Sequence, residues 1–72
     1  MARRVEDRLL TPRQVAEILG TSRRTVYRLV DHNSIRWVYL GSSIRVSWID
    51  LQDFIEDLKV NRRIISFTDN DD

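Results

Sequence analysis

The sequence predicts a small α+β domain, with two short helices joined by a tight turn, then a two-stranded β-hairpin, then a closing third helix. Three observations lead there. Thr11-Pro12-Arg13-Gln14 is a helix-opening signal whose apolar pattern stops at Gly20, and a second apolar pattern begins almost at once after Ser22. Gly41-Ser42-Ser43 then separates two segments rich in β-branched and aromatic residues.

The first helix is expected over residues 12–19. The Thr11 hydroxyl can accept the Gln14 amide while the Gln14 side chain reaches back, and Pro12 sits where its missing N–H costs nothing. Leu10 and Val15 can staple across that start. Val15, Ile18 and Leu19 share one face, and Gly20 stands where a left-handed residue closes the helix. Ser22 can cap a second helix over 23–31, with Val26, Leu29 and Val30 as its apolar stripe. Residues 36–40 and 44–48 read as the arms of the hairpin. Ser47 can cap a third helix over 48–59, where Trp48, Leu51, Phe54, Ile55 and Leu58 are apolar and Asp50 and Asp53 suit the positive end of the dipole. Residues 1–8 read as a flexible arm or a first-strand residue pair leading into Leu9, 9–59 as the domain, and 60–72 as a tail.

Composition narrows the function classes. With 72 residues, the chain has room for one domain and little room for a catalytic core. Without cysteine there can be no disulfide framework, thiolate zinc site or cysteine nucleophile, and a cytoplasmic protein is expected. No apolar run approaches the length of a membrane span. The single histidine, His32, lacks a partner nucleophile or base and reads as a surface or dipole partner at a helix end, so no enzyme activity is expected. Asp53, Glu56 and Asp57 lie on one helix face but read as a solvated acidic face, and neither metal nor cofactor is expected.

The net charge of +1 conceals an asymmetry. Residues 1–49 carry nine arginines against four acids, while residues 50–72 carry three bases against seven acids. Eleven of the twelve bases are arginine, whose planar fork suits phosphates and guanine edges. This bias points toward a nucleic-acid partner.

The two helices then take on a specific meaning. A helix-turn-helix needs a small residue at the helix crossing, a positive-φ residue in the turn and a β-branched anchor on the second helix; Ala16, Gly20 and Val26 supply them. A plain helical hairpin is the competing reading. With Val26, Leu29 and Val30 turned inward, Arg24 and Arg28 stand on the opposite face, flanked by Thr25 and Tyr27, with Arg23 in the first turn. That face can read the DNA major groove, an arginine donating twice to guanine O6 and N7. Ser22, Thr11 and Arg13 are candidates for capping or phosphate contact. Ser42, Ser43 and Arg45 are placed on a wing near the minor groove. Trp37, Tyr39 and Trp48 read as core in preference to a base-stacking platform.

The arrangement resembles the excisionase and MerR-like winged-helix DNA-binding family. The resemblance runs over residues 9–59, through Leu9-Leu10-Thr11-Pro12, Val15-Ala16-Glu17-Ile18-Leu19-Gly20, Ser22 to Leu29 as recognition helix, Leu40 to Val46 as wing, and Trp48 to Leu58. It implies a winged helix-turn-helix of three helices and a two-stranded wing. Size and motif order are most similar to a phage excisionase, a recombination directionality factor. In that family the protein binds repeated sites on double-stranded DNA, bends it and helps a tyrosine integrase assemble the excisive complex. Unlike many relatives, this wing tip carries no base.

A single module of this kind buries only about 600–1,000 Å² on DNA, so cooperative head-to-tail self-association on adjacent sites is expected. Arg62, Arg63, Ile64, Ile65 and Phe67 are the candidate protomer contacts, unless the tail packs on its own core. A small transcription regulator on the same fold is the main alternative. A module using its acidic third helix to bind protein is a further one. Neither a membrane nor a small-molecule substrate is expected.

Overall fold

A computed structural model of the chain describes residues 7–61. The elements follow in the order β1 (Leu9–Leu10), α1 (Pro12–Leu19), α2 (Arg23–Asp31), β2 (Val38–Leu40), β3 (Ser43–Ser47) and α3 (Trp48–Asn61). Local chemistry accounts for the ends of the first two helices. The Thr11 hydroxyl accepts the Gln14 amide at 3.1 Å and Gln14 Oε1 accepts the Thr11 amide at 2.9 Å, completing the capping box. Gly20, at φ 73°, ends α1, with the Gly20 and Thr21 amides donating to the Glu17 and Ala16 carbonyls. The same pattern closes α2, where the Asn33 and Ser34 amides donate to the Val30 and Leu29 carbonyls and Asn33 takes the left-handed position at φ 54°.

A Cβ at Gly20 would meet nothing within 4 Å, so the cost of adding one is purely conformational. Gly20→Ala is expected to lower stability by about 1–2 kcal/mol, read as a lower urea midpoint with an unchanged m-value.

The sheet has three strands in the order β1-β3-β2, all antiparallel, so the expected two-stranded wing gains a partner. Leu9 pairs with Ser47 and Leu10 with Val46. Two residues are too few to show a strand periodicity in sequence; here Leu10 and Val46 are both buried, and their burial brings the backbones together. The first hairpin arm is shorter than expected and the second starts one residue earlier, with Leu40 opposite Ser43 across a two-residue Gly41-Ser42 turn. Gly41 has φ 65°, the positive-φ first position that suits tight hairpins.

The start of α3 is tied down from both sides. The Trp48 amide donates to the Arg8 carbonyl at 2.8 Å, the Ile49 amide to Asp7 Oδ1 at 3.1 Å and the Asp50 amide to Ser47 Oγ at 3.0 Å. Three of the four amides that a helix start leaves unpaired are thereby satisfied. The Arg8 guanidinium also lies 5.6 Å from the centre of the Trp48 ring. At its other end α3 continues two residues beyond the expected 59, and Asn61 donates through its side chain to Asp57 Oδ1.

One core joins these elements. It contains Leu10, Val15, Ala16, Val26, Leu29, Val30, Ile35, Val46, Leu51 and Phe54, with Leu19, Trp37, Ile44, Trp48, Ile55 and Leu58 half-buried against it. Two expectations fail. Ile18, assigned to the inward face of α1, is exposed, because α2 covers the Val15 and Ala16 side of that helix. Tyr39, read as core, is 65% exposed, because β2 is the edge strand of the sheet and all three of its residues are exposed.

Candidate nucleic-acid interface

The surface of α2 follows from its packing. Val26, Leu29 and Val30 are buried, and this orients the remaining residues. Arg23, Arg24 and Tyr27 are exposed, while Thr25 and Arg28 are half-buried. Three arginines and a tyrosine thus occupy the solvent side of a nine-residue helix held by a tight turn against α1. The helix-turn-helix expectation is met by these contacts, with Ala16 buried, Gly20 in the turn and Val26 fully buried.

The candidate phosphate-contact residues also have structural roles. Ser22 Oγ accepts the Thr25 amide at 3.2 Å and lies 3.3 Å from Thr25 Oγ1, so the hydroxyl pair closes the first turn of α2. Thr11 is engaged in its capping box. Arg13 is exposed on α1, its Nε 3.8 Å from Glu17 Oε2; a pair this open to solvent is screened and leaves the arginine available to a stronger anion.

On the wing, Ser42 and Ser43 are exposed. Arg45 sits away from the tip, paired with Val38, half-buried, its Nη1 donating to the Ile44 carbonyl at 2.9 Å. Arg36 is exposed between α2 and β2. Arg62, Arg63, Ile64, Ile65 and Phe67, the candidate protomer contacts, lie outside the described residues.

The open grooves lie elsewhere. One of about 610 Å³ is lined by Asn33 to Val38 and Asp50, and one of about 340 Å³ by Ser34 to Arg36 and four residues of α3. Both flank the C-terminal end of α2, whereas the arginines begin at its N-terminal end. Among the described residues no three His, Cys, Asp or Glu side chains cluster as a metal site, and no helix is long and apolar enough to cross a membrane. His32 Nδ1 lies 2.8 Å from the Arg28 carbonyl, at the end of α2.

Two features of this surface escape the sequence reading. The exposed aromatic at Tyr39 is one, since alternation places it on the helix side of the sheet and only the edge position of β2 leaves it uncovered. The other is Asn33, whose tolerance of left-handed backbone was a legible stop signal for α2.

The comparisons agree with this architecture. No curated protein and no solved structure matches the chain. The family model described as a helix-turn-helix domain matches residues 9–59, from β1 to near the end of α3 and most of the chain. The match supports binding to double-stranded DNA, and three helices with a small antiparallel sheet fit a winged helix. The chain belongs to the helix-turn-helix domain family.

Proposed function

We propose that this protein is a sequence-specific double-stranded DNA-binding and bending factor that promotes excisive site-specific recombination by a tyrosine integrase. The observation that carries the DNA-binding part is the arginine face of α2, with Arg23, Arg24 and Arg28 presented by a helix whose other side is locked into the core. In this reading α2 enters the major groove, Arg24 and Arg28 address base edges, and Thr25, Tyr27 and Ser22 address the flanking phosphates. Thr11 and Arg13 approach the backbone from α1, and the wing residues Ser42, Ser43 and Arg45 lie towards the adjacent minor groove.

The recombination role rests on the resemblance to excisionases and on interface size. One module of this kind buries about 600–1,000 Å², and tight occupancy then calls for neighbouring copies. The basic first two thirds and acidic last third of the chain suit head-to-tail contact on adjacent sites, with Ile64, Ile65 and Phe67 as the proposed protomer contacts.

A footprint across a protein titration tests this reading, on DNA fragments that the protein itself retains. The expected layout is several direct repeats about one helical turn apart, filling cooperatively and bending the fragment. A single inverted repeat at a promoter would replace it with a transcription regulator. Salt provides a separate check. With about five arginines on phosphates, log K is expected to fall against log salt with a slope near −4.5, and a slope near zero would remove the electrostatic model.

A further inference from the structure

The wing carries an aromatic brace that the proposed DNA surface does not yet use. Tyr39 is paired with Ile44, so their side chains share the face of the sheet that carries buried Val46. Tyr39 is nevertheless 65% exposed. Its ring is held edge-on against Trp37, centroids 5.0 Å apart and planes at 89°. Trp37 is half-buried against the core, and its Nε1 donates to Asn33 Oδ1 at 3.2 Å. Asn33 is the left-handed residue that closes α2. A continuous set of contacts therefore runs from the end of α2 through Trp37 to the wing.

This arrangement has a cost and a geometry. A large aromatic surface is kept in water and in one orientation, while its hydroxyl has no hydrogen-bond partner among the described residues. The ring lies on the helix side of the wing, one residue before Leu40 and the Gly41-Ser42 turn. On the docking proposed above, with α2 in a major groove and the hairpin towards the adjacent minor groove, the hairpin strand that carries Tyr39 runs beside the phosphodiester backbone that separates the grooves. Tyrosine hydroxyls are ordinary donors to phosphate oxygens.

We infer that Tyr39 is a DNA-backbone contact, its hydroxyl donating to a phosphate between the grooves, and that Trp37 and Asn33 are positioning residues that fix the wing relative to α2. The inference rests on the DNA-binding reading above and adds to it a residue on a different element. A neutral donor at this place compensates for a wing tip without a base.

The test uses the full chain and a labelled 20-base-pair duplex enriched by the wild-type protein from a random pool. Tyr39→Phe keeps the ring contact and removes only the hydroxyl. It is expected to weaken binding about threefold to tenfold, with unchanged thermal stability and an unchanged salt slope, because no charge is lost. Ethylation interference should lose one phosphate that the wild type requires. Trp37→Phe removes the indole donor and is expected to weaken binding as well, but to add little in the background of Tyr39→Ala, since it acts through the same ring. Wild-type affinity in Tyr39→Phe and Tyr39→Ala, or an unchanged interference pattern, overturns the inference while leaving the α2 reading intact. Failure of the wild-type chain to enrich any duplex overturns both.

Discussion

Reversing Arg24 and Arg28 to glutamate is expected to abolish specific DNA binding while leaving the domain folded. Each arginine that addresses a guanine contributes about 1–3 kcal/mol of discrimination, and each that meets a phosphate also releases counterions. Losing two and placing two carboxylates against the duplex corresponds to a loss of at least about a hundredfold, measured by fluorescence anisotropy at fixed salt. The fold should tolerate the change, since Arg24 is exposed, Arg28 is half-buried, and the helix is anchored by Val26, Leu29 and Val30. Circular dichroism and the urea midpoint check that. The single variants Arg24→Gln and Arg28→Gln sort base readers from backbone contacts. A base reader relaxes preference at one position of the site, whereas a phosphate contact weakens all sequences alike and lowers the salt slope by about 1. Retained binding in the double reversal would move DNA contact away from α2 and favour the protein-interaction reading of the acidic third helix.

Truncating Leu51 to alanine is the expected largest effect on stability. Leu51 is fully buried on α3, which packs against β3. Leucine-to-alanine changes in a core cost about 2–5 kcal/mol, the spread reflecting how far the cavity collapses. A domain of this size has only a few to about 10 kcal/mol in total, by the usual 0.05–0.15 kcal/mol per residue. At about 4–8 °C per kcal/mol for a small domain, the melting temperature should fall by roughly 10–40 °C. Gln52→Ala, at the exposed neighbouring position, should change stability by no more than about 0.5 kcal/mol. Similar losses at the two sites would mean that α3 does not close the core as the structure has it.

Much of the interior was legible because local chemistry and tertiary packing agree. Thr11, Pro12, Gln14, Gly20 and Ser22 bound the first two helices at the residues where the structure bounds them. Ser47 was readable as the cap of α3 for the same reason, since a hydroxyl one residue before a helix has few better partners than its first amides. The arginines of α2 were readable as a surface because three buried apolar residues at helical spacing leave only one side for them.

The misses have a common origin in contacts distant in sequence. β1 is two residues long and exists because Leu10 meets Val46, thirty-six positions away. The start of α3 relies on Asp7 and the Arg8 carbonyl, a contact that no local pattern in residues 1–8 announces. Ile18 fits the apolar pattern of α1 as well as Val15 does, yet α2 covers only one of them. Ile35 carries no periodic signal and is buried because the chain crosses the core on leaving α2.

By itself, the sequence determined the helix-turn-helix, its caps and the basic character of its second helix, because these depend on residues within a turn or two of one another. Only the tertiary structure decided the third strand, the sealing of α3 by the N-terminal segment, and the exposure of Tyr39. Those depend on which surfaces meet, and the order of strands in a sheet, unlike the period of a helix, is not written in neighbouring residues.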